Sequence, residues 1–147
     1  MFKRILVPID GSAASNLGMR EAVRLAKSQK AQLCLLHVLD EFFVTQGAEG
    51  IVYTEEMFDA LRDDGKKLLA KAEVKVRKLG LKPRTVLAET LSAGVAGVIV
   101  QQTRKWKADL IVMGTHGRRG IRRVVMGSDA EQVLRSTPVP VLLFRAK

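Results

Sequence analysis

Short apolar runs alternate with helical patterns along this chain, and that alternation restricts its fold more than any other feature. The runs are rich in Ile, Leu and Val, and they predict buried strands at residues 3–9, 32–39, 83–89, 109–113 and 139–144. Strands that alternate with helices pair in parallel, with helices over both faces and right-handed crossovers. The sequence therefore predicts one three-layer α/β domain over residues 1–147.

The segments between the strands have the period of amphipathic helices. Helices are predicted over residues 15–27, 55–79, 93–105 and 128–135. Ser15 is the expected N-terminal cap of the first helix, whose apolar stripe is Met19, Ala22, Val23 and Ala26. The second helix should end before Gly80, and its stripe is Phe58, Leu61, Leu68, Ala72, Val76 and Leu79. Residues 40–54 lack a clear period, which predicts a long loop.

The composition is typical of a globular protein inside the cell. With 47% hydrophobic residues, a chain of 147 residues can bury a core without disulfides or a structural metal. Cys34 lies in an apolar strand and should be buried and inert, and one Cys with two His cannot assemble a usual zinc site. No signal-peptide core is present, and no stretch reaches the ~18 apolar residues of a membrane span. A cytoplasmic protein that does not enter membranes is expected.

The chain is strongly basic. Its 25 Lys and Arg residues against 15 Asp and Glu give a net charge of +10, which favours phosphate-bearing partners without choosing among nucleotides, nucleic acids and anionic lipids. With 5 Phe, 1 Trp and 1 Tyr, the chain has few rings on which nucleobases could stack. Nucleic acid is therefore a less favoured partner.

The strand ends indicate where a ligand would bind. Ligands of parallel α/β sheets bind beyond the carboxyl ends of the strands, near a topological switch point. The first and fourth predicted strands lead into Asp10 and Gly114. Gly114, Gly117 and Gly127 would let the backbone approach a ligand closely, and Ser128 stands where the last helix begins. A helix N-terminus with a hydroxyl offers hydrogen-bond donors to phosphate.

An ordinary strand-to-helix loop is the better explanation for any one of these glycines taken alone. The combination of a strand, spaced glycines, a basic loop and Gly-Ser at a helix start favours phosphate binding. The sequence contains no G-x-x-x-x-G-K-[ST], which argues against a P-loop ATPase. No G-x-G-x-x-G follows the first strand, which argues against a dinucleotide dehydrogenase.

Several single residues have two interpretations each. Asp10 could accept hydrogen bonds from a ribose or an adenine, or it could form the turn before Gly11. Val38 could offer an apolar wall to a base, or it could belong to the strand core. His37 is expected to be a structural histidine, and His116 a loop residue rather than a general base.

Four arginines crowd the basic loop at residues 118–123: Arg118, Arg119, Arg122 and Arg123. They could contact phosphate, bind an external anionic partner, or simply lie in solvent. The sequence leaves these three interpretations open.

The spacing Gly114-x2-Gly117-x9-Gly127-Ser128 resembles the ATP-binding signature of the universal stress protein family, G-x2-G-x9-G-[ST]. The resemblance extends over the whole chain, since residues 5–12, 36–38, 108–114 and 133–142 are similar to the family's successive blocks. Asp129 departs from the family pattern, in which a β-branched residue is more frequent after the Ser.

The resemblance implies a Rossmann-like sheet in the order 3-2-1-4-5 and a homodimer through the last strand, residues 139–144. It implies ATP as ligand, in some members with a divalent cation such as Mg²⁺ or Mn²⁺. It also assigns the site residues: adenine and ribose to Pro8, Asp10, Val38 and Met113, and the phosphates to Gly114, Gly117, Gly127 and Ser128. It implies no catalytic residue and at most slow hydrolysis or autophosphorylation.

The function predicted from the sequence is that of an ATP-binding regulatory or stress-response protein without fast turnover. One alternative is a nucleotide hydrolase or adenylyltransferase, which would need a Ser-rich first loop or an H-x-G-H pair that this chain lacks. Another is a module that binds a nucleic acid or a protein through residues 118–123, with a degenerate nucleotide site.

Overall fold

A computed structural model describes residues 1–41, 52–90, 92–116 and 126–147. The elements, in chain order, are β1 (Arg4–Pro8), α1 (Ala13–Gln29), β2 (Gln32–Asp40), α2 (Glu55–Lys78), β3 (Arg84–Thr90), α3 (Gly94–Trp106), β4 (Leu110–Gly114), α4 (Ser128–Ser136) and β5 (Val141–Phe144). The strands form one sheet in the order β3-β2-β1-β4-β5, and every pairing is parallel. The predicted α/β architecture and strand order are confirmed.

The sheet is buried on both faces because its central strands carry apolar residues at consecutive positions. In β1, Ile5 and Val7 belong to the core beneath α1 and α2, while Leu6 belongs to the core beneath α3 and α4. All three side chains are at most 1% exposed. The uninterrupted apolar run that predicted a strand thus reflects burial from two sides.

Helix α1 begins earlier than its apolar period suggests, and Ser12 rather than Ser15 is its N-cap. The Ser12 Oγ accepts a hydrogen bond from the Ser15 backbone N–H at 3.2 Å. Ser15 is a helical residue whose hydroxyl accepts from the Asp10 N–H at 3.1 Å. The predicted cap was wrong because Ala13 and Ala14 carry little amphipathic signal, although Ala14 is buried.

Helix α2 buries a slightly different stripe from the predicted one. Leu69, Ala72 and Val76 are buried, whereas Leu68 is only partly covered and Leu79 is 44% exposed. Leu79 lies outside the helix, which ends at Lys78, and Gly80 follows with φ 91°. A backbone with this positive φ favours glycine, which agrees with the prediction that the helix ends before Gly80.

Arg62 holds α2 against the ends of β2 and β3. Its guanidinium lies 2.6 Å from a carboxylate oxygen of Glu89 and 3.6 Å from one of Glu41. Loss of hydration raises the pKa of the Glu41 carboxyl, and the hydrogen bond from Arg62 lowers the pKa of Glu89. The ion pairs therefore orient the first half of the helix over the sheet.

His37 is a structural residue, as predicted. Its Nδ1 atom lies 2.7 Å from the carbonyl oxygen of Ile9, and the ring is buried. Because a carbonyl only accepts, Nδ1 carries the proton. The Ile9 N–H in turn donates to Leu36 at 2.8 Å, so β1 and β2 stay joined beyond the last residue of β1.

None of the helices within the described parts of the chain is both long and apolar enough to cross a bilayer.

Cys34 lies in the centre of β2 and is 1% exposed. Burial raises the pKa of its thiol from 9.0 to about 11, and the Arg84 guanidinium only partly opposes this rise. At pH 8 the thiolate is therefore about 100-fold scarcer in the folded chain than in the unfolded chain. Since the pKa is higher in the folded chain, the stability that this group contributes is lost as the pH rises from about 9 to about 11.

We expect native Cys34 to react with 5,5′-dithiobis(2-nitrobenzoic acid) at pH 8 at least about 100-fold more slowly than the same protein in guanidinium chloride. Release of thionitrobenzoate measures both rates. Comparable rates in the two states would contradict the buried position of the thiol.

Candidate functional site

The carboxyl ends of β1 and β4 form the candidate site. The chain leaves β1 toward β2 and β3 on one side, and then crosses to β4 and β5 on the other. The crevice between β1 and β4 is therefore the topological switch point of the sheet, where ligands of this fold class bind. Asp10 and Gly114, the two predicted strand ends, lie at its two edges.

Asp10 forms a tight turn that leads into α1. Its Oδ1 atom accepts a hydrogen bond from the Ser12 N–H at 2.8 Å, and Gly11 between them has φ 81°. The turn-forming interpretation of Asp10 is therefore correct. The side chain is half-buried at the crevice, so the same geometry also orients a carboxylate toward that edge of the sheet.

An apolar surface continues from the crevice across the sheet face beneath α3 and α4. Val38 and Met113 belong to the core on this face, Val38 half-buried and Met113 only 7% exposed. Pro8, the last residue of β1, falls on the same face by strand alternation from Leu6. Val38 and Met113 thus lie on one face with Pro8, and Asp10 follows in the turn beyond the strand.

Gly114 is a glycine because α1 leaves no space for a side chain. A Cβ atom there would lie 2.7 Å from the Ala14 carbonyl carbon and 2.8 Å from the Ser15 nitrogen. Sequence reasoning attributed this glycine to a tight turn or to the approach of a ligand. The structure adds a packing requirement, since the first turn of α1 lies directly on the end of β4.

Gly127 and Thr115 close the loop that follows β4. The Gly127 N–H donates to the Thr115 carbonyl oxygen at 2.6 Å, and a Cβ atom at position 127 would lie 2.8 Å from that oxygen. Gly127 has φ −60°, so close approach rather than an unusual backbone angle requires glycine here. The two ends of the loop therefore meet beside the crevice.

Gly127 is also the N-cap of α4, and it provides no side-chain acceptor for the first turn. Ser128, the first residue of the helix, is exposed. Asp129 and Glu131 are the acidic residues of that turn, and Glu131 pairs with Arg135 at 2.6 Å. The helix thus presents backbone donors and the positive end of its dipole next to the loop closure.

Ser12 and His116 connect the two sides of the crevice. The Ser12 hydroxyl donates to the His116 carbonyl oxygen at 3.4 Å, and His116 Nδ1 lies 2.9 Å from the Thr115 hydroxyl. The Nε2 atom of His116 is buried and has no hydrogen-bond partner among the described residues. Sequence reasoning missed Ser12 and Thr115, although a Ser three residues before Ser15 is a recognisable capping signal.

Gly117 and the arginines of residues 118–123 lie outside the described residues, so their predicted roles stay predictions. Within the described ranges, no group of three or more His, Cys, Asp or Glu side chains is arranged to hold a metal ion.

The fold is that of a doubly wound α/β protein, and its switch point between β1 and β4 is the candidate ligand site. A family model described as "Universal stress protein family" matches residues 1–145. The chain belongs to the universal stress protein family, as the resemblance implied.

Two curated relatives show the extent of the similarity. Universal stress protein MJ0531 of Methanocaldococcus jannaschii is 36% identical over 146 residues, which cover 99% of this chain and 83% of the relative. Universal stress protein YxiE of Bacillus subtilis is 36% identical over 151 residues, 99% of this chain and 100% of the relative.

Solved structures share the fold. Protein MJ0577 of M. jannaschii superposes with a TM-score of 0.82 at 23% identity, covering 100% of this chain and 98% of its own. The Archaeoglobus fulgidus universal stress protein in complex with dAMP has a TM-score of 0.68 at 22% identity, covering 97% of both chains. A universal stress protein in complex with cAMP has a TM-score of 0.72 at 20% identity, covering 99% of both.

We expect Gly114→Ala to lower the free energy of unfolding by about 1–3 kcal/mol, because the new methyl group would overlap the first turn of α1. Urea unfolding followed by circular dichroism measures the change. Gly97→Ala in α3 is the matched control, since its new Cβ would meet only the Ala93 Cβ, at 3.2 Å, and helix propensity favours alanine by up to ~1 kcal/mol. Equal stability of Gly114→Ala and wild type would contradict the packing role.

Proposed function

We propose that this protein binds an adenine nucleotide, ATP above all, in the crevice between β1 and β4. In this proposal it is a cytoplasmic regulatory or stress-response protein without fast turnover. The observation that carries the proposal is the hydrogen bond between Gly127 and Thr115 at 2.6 Å, which ties the N-cap of α4, a residue without a side-chain cap, to the end of β4.

The phosphates would bind at that helix N-terminus. The first backbone N–H groups of a helix have no partner within the helix, and the helix dipole favours an anion there. Ser128 adds a hydroxyl donor. Gly114, Gly117 and Gly127 would let the backbone approach the phosphates, and a divalent cation such as Mg²⁺ or Mn²⁺ would accompany the triphosphate.

The adenosine would bind on the neighbouring sheet face. Val38 and Met113 provide apolar surface there, and Asp10 provides a carboxylate that can accept hydrogen bonds from a ribose or an adenine amino group. Pro8 would complete the edge beside Asp10. Ordinary strand core is the competing explanation for Val38.

Three further observations support a bound adenine nucleotide. The buried Nε2 atom of His116 lacks a partner among the described residues, and a ligand in the crevice could satisfy it. The net charge of +10 attracts anions to the whole molecule. Both nucleotides in the complexes of the related folds, dAMP and cAMP, contain adenine.

We expect Mg-ATP to raise the melting temperature of the wild type, with a smaller effect of GTP. A ligand that binds only the native state stabilises it by about 2.7 kcal/mol at one hundred times its Kd. Ser128→Glu should lose most of this shift, since the new carboxylate opposes the phosphates. It should not destabilise the free protein, because an acid suits the first turn of a helix. Scanning fluorimetry measures each shift.

Gln132→Glu is the matched control, because it places the same charge at an exposed position one turn further along α4. It should keep the full ATP shift. A folded wild type that ATP does not stabilise would overturn the proposal, and an ATP shift that survives in Ser128→Glu would overturn the assignment of the phosphates to α4.

We also propose a homodimer through residues 139–144. Strand β5 is the terminal strand of the described sheet, and Leu142 on it is 41% exposed. An exposed edge strand with an apolar residue favours pairing with a second chain.

Light scattering coupled to gel filtration should give twice the 16.2 kDa mass for the wild type and the monomer mass for Leu142→Lys. Leu134→Lys in α4 is the control, since Leu134 has the same 41% exposure. A wild-type monomer, or dissociation caused equally by both variants, would refute an interface centred on β5.

A further inference from the structure

A cavity of about 340 Å³ lies between α1 and α2, beside the end of β1. It opens on the sheet face covered by α1 and α2, whereas Val38 and Met113 lie on the opposite face. The cavity is therefore separate from the crevice proposed for the nucleotide, and β1 stands between the two. Its size is within the lower range of small-molecule sites.

The floor of the cavity is apolar. It is formed by Ile9 and Ala72, which are 5% and 6% exposed, and by Leu68, which packs against the same core. A wholly hydrated ion gains little from such a floor, but the apolar body of an organic molecule is stabilised by it.

One wall of the cavity is a row of lysines on α2: Lys67, Lys71 and Lys75. They are four residues apart, so they share one face of the helix, at intervals of about 6 Å along its axis. The row borders the gap toward α1, and all three lysines are exposed, so three positive charges lie along one rim of the cavity.

Among the described residues, no carboxylate compensates these lysines. None of the three forms a salt bridge with any described residue. Elsewhere on the same helix, Arg77 pairs with Glu73 at 2.7 Å and Arg62 with Asp59 at 2.9 Å. Like charges four residues apart repel each other, and a bound anion would relieve this repulsion.

The wall opposite the lysines adds polar groups and the positive end of the α1 dipole, which attracts anions. Gly11 and Asn16 line it, with the Asn16 amide 3.4 Å from the Gly11 carbonyl oxygen. Gly11 precedes the N-cap Ser12 and Asn16 lies near the start of α1, whose first turn contains no acidic residue. The positive end of the α1 dipole and the lysine row therefore act on the same space.

We infer that this cavity is a second ligand site, which takes a small organic phosphate. The apolar part of the ligand lies on Ile9, Leu68 and Ala72, and its phosphate is bound by the lysine row. The inference goes beyond the proposed nucleotide function and does not depend on it, because none of the residues proposed to contact the nucleotide lines this cavity.

Titration of the ¹⁵N-labelled protein with phenyl phosphate at physiological salt tests the inference. The amide signals of Gly11, Asn16 and Ala72 should shift in a saturable way. Phenol should bind much more weakly because it lacks the charge, and inorganic phosphate because it lacks the apolar body.

The triple variant Lys67→Gln/Lys71→Gln/Lys75→Gln should weaken phenyl phosphate binding by about tenfold or more, since three charged contacts are lost. The charge-matched control is Lys66→Gln/Lys78→Gln/Lys82→Gln, whose positions are exposed and outside the cavity. The single variant Lys71→Gln provides the same test should the triple variant not fold.

Three results would overturn the inference. The first is the absence of a saturable shift at Gly11, Asn16 and Ala72. The second is an equal loss of affinity in the control triple variant, which would indicate only attraction to the basic molecule. The third is equally tight binding of phenol or of inorganic phosphate, which would show that the phosphate group or the apolar body, respectively, contributes nothing to binding.

Discussion

The approach of α1 to the end of β4 is the contact on which the rest of the site depends. The first turn of the helix lies so near that Gly114 has no space for a Cβ atom, and one turn later Gly18 would place its Cβ 3.4 Å from the Met113 carbonyl carbon. This close packing brings the Asp10 turn beside the loop that follows β4. The Ser12 hydroxyl can then reach the His116 carbonyl across the crevice.

The turn at the end of β1 also separates two chemically different spaces. The face toward α3 and α4 carries Val38 and Met113, the apolar surface on which we propose that the adenosine binds. On the face toward α1 and α2, Ile9 and Gly11 border a cavity with three lysines. Because successive residues of a strand point to opposite faces, one short segment of chain contributes to both.

Much of the fold follows from local patterns. Each described strand begins and ends within about two residues of its prediction, because a strand buried on both faces needs an uninterrupted apolar run. The errors occurred where local and tertiary signals differ. Ala13 and Ala14 carry little amphipathic signal, so the start of α1 was placed too late. Leu79 fits the period of α2 but lies beyond its last helical residue, and it is exposed.

The sequence by itself determined the order of strands and helices, the glycine spacing and the turn residues, since all of these depend on neighbours along the chain. Only the tertiary structure decided why two of the glycines are needed. The nearest obstacle to a side chain at Gly114 is Ala14, about one hundred positions earlier in the chain. A contact between residues so far apart cannot be predicted from the pattern of neighbouring residues. The same holds for the lysine row of α2, which reads as an ordinary solvated helix face until α1 is seen to form the other wall of its cavity.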